Sequence, residues 1–326
     1  MTVTGATILG CAGPALTAPE AAFFKAVQPW GFILFSRNIV NPDQVRRLTA
    51  ALRDSVGREA PILIDQEGGR VQRLRPPHWR DWLPPLDQVA RVGPEAAARS
   101  MYLRARIIAD ELHRLGIDVN CAPSGDVAQP ETHRFLRDRC YGTEPETVAE
   151  IALATARGLM DGGVLPVIKH LPGHGRGTRD SHLALPVVDA PRAALEAVDF
   201  LPFRRMSNLP MAMTAHVVFS DIDPTPATHS PKMIGLIREA LEFDGLLMTD
   251  DISMEALGGP VGLRASAAMA AGCDVVLHCN GDLAEMRAVA EASGPMGVRS
   301  AERAASALAR RSAPDGIDIA DATAEL

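Results

Sequence analysis

The sequence predicts an α/β fold, a single (β/α)8 barrel of the TIM type, on three observations. Short apolar runs bounded by Gly, Pro or Asp recur along all 326 residues. Helical patterns with start and stop signals fall between most of these runs. Polar residues gather just beyond the ends of the runs, which is where the loops of a barrel converge and carry its chemistry. A doubly wound sheet is the alternative fold, but it normally carries a Gly-rich phosphate fingerprint after an early strand. Neither G-x-G-x-x-G nor a P-loop is present.

The strand candidates, in order, are Ala6 to Gly10, Phe32 to Phe35, Ile62 to Asp65, Asp118 to Ala122, Leu165 to Lys169, Ala212 to His216, Leu246 to Asp250 and Asp274 to Cys279. Asn41-Pro42 supplies an N-cap and a first-turn proline, with Gln44 placed for a capping box. Ser230-Pro231 repeats that arrangement before Lys232 to Leu241. Pro94 to Leu115 reads as a long helix stopped by Gly116, and Pro145 to Met160 as one stopped by Gly162-Gly163. Two stretches lie outside the alternation. Gln72 to Leu86 holds Pro76, Pro77, Pro84 and Pro85 with Trp79 and Trp82, and is expected to be a loop covering one barrel rim. The acidic segment from about Ala313 to Leu326 is expected to be a loosely held tail on one catalytic domain spanning 1–326.

Composition narrows the function. The net charge of -7 argues against a general nucleic-acid surface, which needs clustered Lys and Arg. Met1 to Leu16 lacks a basic, apolar leader, and no run is long enough to span a membrane, so a cytoplasmic protein is expected. The five cysteines show no C-x-x-C spacing and read as buried free thiols.

The stretch from Lys169 to His182, KHLPGHGRGTRDSH, dominates the chemistry. An apolar strand delivers Lys169 and His170 to a loop with three glycines that ends on Asp180-Ser181-His182. The other strand ends supply Asp65-Gln66-Glu67-Gly68-Gly69-Arg70, Asp126, His216 and Asp250-Asp251. Carboxylates, an ammonium and imidazoles without a hydroxyl nucleophile suggest chemistry on a polyhydroxylated ligand. Bland readings stand beside these. Asp65 sits where a helix N-cap belongs, His216 reads as structural, and Arg70 and Arg139 could be surface charges. Arg139, however, lies in a non-helical, Gly-bounded run that favours a fixed guanidinium. His170-x-x-x-His174 copies a zinc spacing, but Pro172, Gly173 and Gly175 oppose the helix that spacing requires.

The Lys-His-Leu-Pro-Gly-His-Gly run, Asp180-Ser181-His182, Ile64 to Val71 and Met248 to Met254 together resemble the bacterial β-N-acetylhexosaminidases of glycoside hydrolase family three. The resemblance runs from the first strand to about the eighth. Leu171 replaces the usual Phe, Ser124-Gly125 replaces two aliphatics before Asp126, and Cys140-Tyr141 replaces the more frequent Ser-Phe. These departures bear on pocket shape and remove no catalytic group.

The resemblance implies a retaining mechanism in which Asp250 attacks the anomeric carbon. It also implies that His182, oriented by Asp180, acts as general acid and then base. Two-residue spacing on an extended segment puts both of those side chains on one side. Asp65, Arg70, Arg139, Lys169 and His170 are implied to hold the sugar. The implied substrate is a terminal β-linked N-acetylglucosamine on anhydro-muramic acid, with or without peptide, recovered from peptidoglycan breakdown. No metal or organic cofactor is called for, no nucleic acid or membrane partner is expected, and the enzyme is expected to act as a monomer. The alternatives are a family-three β-glucosidase-type hydrolase, which would take its acid from a second domain, and a sugar-binding protein without catalysis. The loop glycines Gly173, Gly175 and Gly177 are expected to make the Leu171 to Asp180 segment mobile, closing over bound sugar.

Overall fold

In the computed structural model, which describes residues 3–179 and 184–326, eight parallel strands close into a barrel. They are β1 (Gly5–Gly10), β2 (Pro29–Leu34), β3 (Ile62–Ile64), β4 (Val119–Asn120), β5 (Leu165–Leu171), β6 (Met211–Thr214), β7 (Leu246–Asp251) and β8 (Val275–His278). Each pairs with its neighbours in chain order. The ring closes where β1 lies between β8, with Thr7 opposite Val276, and β2, with Ile8 opposite Gly31.

A helix occupies every connection: Ala18–Val27, Pro42–Val56, Pro94–His113, Pro145–Asp161, Leu201–Arg205, Pro231–Glu239 and Val261–Ala271. The signals that start them work as their chemistry requires. Asn41 Oδ1 accepts from Gln44 N at 2.9 Å, and Ser230 Oγ accepts from Met233 N at 3.0 Å. Gln44 departs from a full capping box, because its Oε1 accepts from Val40 N instead of the amide of Asn41. Gly57 and Gly116 take the left-handed conformation, with φ of 65° and 73°, that ends the helices before them.

Side chains alternate across each strand and sort the core into layers. Ile8, Ile33, Leu63, Val119, Leu165, Val167, Met211, Met213, Leu246, Met248, Val275 and Leu277 share the cluster that fills the barrel. Their sequence neighbours, such as Leu9, Ile64, Ile168, Ala212 and Leu247, pack outward against the helices. No helix among the described residues is long and apolar enough to cross a membrane.

One expectation needs correction. The acidic C-terminal segment is docked: Ile319–Glu325 is a helix with Ala322 buried, and Arg99 donates to both Glu325 oxygens at 2.7 and 2.9 Å. Ile317, Ile319 and Leu326 supply the apolar contacts that composition alone hides. The glycines after β5 allow close approach of the chain. A Cβ on Gly175 would stand 1.9 Å from Val127 O, and one on Gly177 would stand 2.5 Å from His174 Nδ1. Residues Leu171 to Gly175 are buried, so these glycines permit close packing.

Candidate active site

The alternation that fills the barrel also aims the site. Leu63 points inward, and two residues on so does Asp65. Leu165 and Val167 carry the same face to Lys169, and Leu246 and Met248 carry it to Asp250. Those three side chains open into one cavity of about 190 Å³, lined also by Arg70, Arg73, Arg139, His170, His174 and Asp251. The cavity lies where the strands end, at the C-terminal mouth of the barrel.

Its floor is a charge network. Lys169 Nζ lies 2.9 Å from Asp65 Oδ1 and 2.6 Å from Glu67 Oε1. Arg139 grips Glu67 with two hydrogen bonds, Nε to Oε2 at 2.9 Å and Nη2 to Oε1 at 2.7 Å. Arg73 Nη2 donates to Asp65 Oδ2 at 2.8 Å. Burial alone would raise both carboxyls, but the cations outweigh it. Lys169 and Arg73 hold Asp65 far below the usual carboxylate range, while Arg139 and Lys169 hold Glu67 at about 2. The same pairs push Lys169 and Arg139 up against the effect of burial. Charged, mutually fixed groups of both signs can donate to and accept from hydroxyls without reorganising.

On the β4 and β5 side, His170 Nδ1 lies 2.7 Å from Asp126 Oδ2 and its Nε2 lies 3.3 Å from Arg139 Nη2. His174 N donates to Asp126 Oδ1 at 2.7 Å. The His174 ring is edge-on to His170, with centroids 5.7 Å apart. Burial, then the neighbouring His170, push His174 down to about 4, so it is neutral at physiological pH. Among the described residues no three His, Cys, Asp or Glu side chains form a group able to hold a metal ion.

Asp250 and Asp251 differ in surroundings. The pairing of β7 with β8 shifts register between Met248 opposite Val275 and Asp251 opposite Leu277. This irregular strand end lets both carboxylates line the cavity. Asp251 is engaged in the turn, accepting from Ser253 N and Cys279 N at 3.1 Å each and from Ser253 Oγ at 2.7 Å. Its carbonyl is held by buried His216, whose Nε2 lies 3.0 Å away and whose Nδ1 meets Thr228 Oγ1. His216 therefore braces the strand end. Asp250 Oδ1 accepts from Asp251 N at 2.8 Å.

The structure thus brings together Asp65, Arg139, Lys169, His170 and Asp250. Arg70 lies on the rim, exposed, with its guanidinium 3.6 Å from the centre of the Phe135 ring. Asp180 and His182 lie outside the described residues. Four further residues join the site: Glu67, Arg73, Asp126 and His174. Glu67 continues the period from Leu63 through Asp65. Arg73 is brought back by the hairpin Gln66–Gly68 and Val71–Gln72, in which Gln66 pairs with Gln72 so that residue 73 returns beside residue 65. The Gly68-Gly69 turn, with φ of 112° and 56°, is the signal for it.

Residues 16–307 match the glycosyl hydrolase family 3 N-terminal domain. The chain belongs to that family. Similar family 3 proteins include the beta-hexosaminidase of Alkalilimnicola ehrlichii, 41% identical over 286 residues that cover 85% of this chain and 81% of that one. The beta-hexosaminidase of Methylococcus capsulatus is 39% identical, over 82% and 80% of the two chains. Among solved structures, NagZ from Neisseria gonorrhoeae in complex with N-trifluoroacetyl-D-glucosamine superposes with a TM-score of 0.85 at 30% identity, covering 99% of this chain and 93% of that one. The chain is accordingly a glycoside hydrolase built on one family 3 barrel.

Proposed function

We propose that this family 3 enzyme is a retaining exo-β-N-acetylglucosaminidase that releases terminal N-acetylglucosamine from peptidoglycan fragments in the cytoplasm. The observation that carries the reading is Asp250. It ends an inward-facing row on β7 and opens into the cavity lined by Asp65, Lys169 and Arg139, the last two of which are braced by Glu67. At about 190 Å³ the cavity is smaller than the roughly 300–1,000 Å³ of clefts for larger ligands, which suits a single terminal ring. The likeness to beta-hexosaminidases, and to a NagZ structure holding an N-acylated glucosamine, supports an N-acetylated sugar. Five buried free cysteines agree with a reducing compartment.

In this mechanism the Asp250 carboxylate attacks the anomeric carbon while the glycosidic oxygen departs with a proton from His182, oriented by Asp180. Water, deprotonated by the same imidazole, then breaks the glycosyl-Asp250 ester and releases the sugar with retained configuration. Asp65 with Arg73, Lys169, Arg139 and His170 hold the ring hydroxyls, and Arg70, stacked on Phe135 at the rim, completes the sugar-holding set. No step calls for a metal or organic cofactor. The test is product analysis with a β-N-acetylglucosaminide, the matching β-glucoside and a disaccharide of N-acetylglucosamine and anhydro-muramic acid. Hydrolysis of the first and third is expected, and a preference for the glucoside would overturn the reading.

A further inference from the structure

The mechanism above leaves one fully buried carboxylate without a part. Asp126, just past β4, has no exposed surface, yet its two oxygens receive several donors. Oδ2 lies 2.7 Å from His170 Nδ1 and 3.1 Å from Ser124 Oγ. Oδ1 accepts from His174 N at 2.7 Å and, more weakly, from His170 N at 3.4 Å. On the far side of the imidazole, His170 Nε2 faces Arg139 Nη2 at 3.3 Å. A guanidinium nitrogen can only donate, so Nε2 must carry the lone pair and the ring proton must sit on Nδ1, toward Asp126. Ser124 stands where the family usually has an aliphatic residue. Its hydroxyl donates to the oxygen that orients the imidazole.

We propose that Asp126, supported by Ser124, is a positioning residue. It locks His170 in the Nδ1–H tautomer so that Nε2 accepts from Arg139 and holds that guanidinium in place at the sugar pocket, and it roots the His174 backbone to the same carboxylate. The proposal rests on Arg139 and His170 being sugar-holding residues.

The geometry dictates what a neutral isostere does. In Asp126→Asn one oxygen becomes an NH2 group. If that group faces His174 N, two donors oppose each other. If it faces His170 Nδ1, the ring proton is driven to Nε2, where it opposes the Arg139 N–H and releases the guanidinium from the imidazole. Either orientation forfeits a charge-assisted hydrogen bond in a buried site.

The experiment joins two readouts on the full-length enzyme. Nitrogen-15 spectra of histidine-labelled protein, with His170 assigned from a His170→Asn variant, report the tautomer. Steady-state kinetics on nitrophenyl β-N-acetylglucosaminide report binding. Wild type is expected to show His170 protonated on Nδ1. Asp126→Asn is expected to raise KM roughly ten-fold or more with a smaller change in kcat, the pattern of lost uniform binding. Ser124→Val and Ser124→Thr have the same shape and differ by the hydroxyl, so they keep the test decisive should Asp126→Asn fail to fold. Ser124→Val is expected to raise KM about two- to five-fold and move the His170 resonances, and Ser124→Thr is expected to restore both. A wild-type ring protonated on Nε2, or a Ser124→Val enzyme with unchanged KM and spectrum, would overturn the proposal. The tautomer is read without turnover, so this inference can fail while hydrolysis stands, and hydrolysis can fail while this inference stands.

Discussion

Replacing Glu67 by glutamine removes one charge from the centre of the site while keeping its shape. Glu67 is 6 % exposed and accepts from Arg139 at 2.7 and 2.9 Å and from Lys169 at 2.6 Å. A glutamine there offers one acceptor oxygen, and its NH2 group must face a cation that also donates. Removing one partner of such a buried pair costs roughly 3–5 kcal/mol. Linkage yields a similar figure. Against the opposing effect of burial, Arg139 and Lys169 lower Glu67 from an ordinary 4.5 to about 2, which corresponds to about 3 kcal/mol. Because the folded value is the lower one, this stability is complete well above pH 4.5 and is lost as pH falls toward 2. The assay is urea denaturation of both proteins. Wild type is expected to exceed Glu67→Gln by about 3 kcal/mol at pH 7, with the gap narrowing by roughly 1 kcal/mol at pH 4. KM should rise as well, since Arg139 and Lys169 lose the group that aims them. A gap under about 0.5 kcal/mol at pH 7 would refute this reasoning, because that is the scale of a neutral surface change.

Five further substitutions probe the packing, the buried charges and the proposed chemistry. Gly175→Ala places a Cβ 1.9 Å from Val127 O, and is expected to cost at least about 1–3 kcal/mol and most of the activity. Gly235→Ala, in a helix with nothing within 4 Å of the added Cβ, is expected to stabilise by about 0.5–1 kcal/mol, and melting curves of the two variants compare them. Burial pushes Glu111 up to about 7, with Arg80 Nε 3.9 Å away, so its folded value exceeds its unfolded one and stability falls as pH rises from 4.5 through 7. Glu111→Gln is therefore expected to be more stable than wild type at pH 8, by up to about 3 kcal/mol, and to show no gain at pH 4 in denaturation curves. Pre-steady-state kinetics separate the proposed acid from the proposed nucleophile. His182→Ala is expected to lose roughly a hundred- to ten-thousand-fold on a disaccharide but far less in glycosylation by a nitrophenyl glycoside, whereas Asp250→Asn fails on both.

The barrel was legible because its strands are apolar runs whose boundaries are marked by Gly, Pro and Asp. Each of the eight segments expected from such runs overlaps a strand of the closed sheet. Asp65, Lys169 and Asp250 were legible for a related reason, since period two extends a buried strand face into the loop beyond it. Arg73 was not, because its place beside Asp65 depends on a hairpin only a few residues long. Arg70, three positions earlier in that turn, ends on the rim. Asp126 and Glu67 stand at strand ends, but their donors come from Arg139, Lys169, His170 and His174, which the fold alone brings together. The docked C-terminal helix was hidden by composition. Its ion pair joins Glu325 to Arg99 across 226 positions of sequence, and Ala322 and Ile319 are too sparse to announce a buried face.

In the proposed mechanism Asp250 is the group that bonds to the sugar. The most direct measurement is to inactivate the enzyme with a 5-fluoro-β-N-acetylglucosaminyl fluoride, digest it and locate the glycosylated peptide by mass spectrometry. The expected result is one equivalent of sugar esterified to Asp250, with the labelled enzyme regaining activity as the ester hydrolyses. A sugar carried by Asp251 instead, or a first-formed product of inverted configuration with no labelled residue, would contradict it.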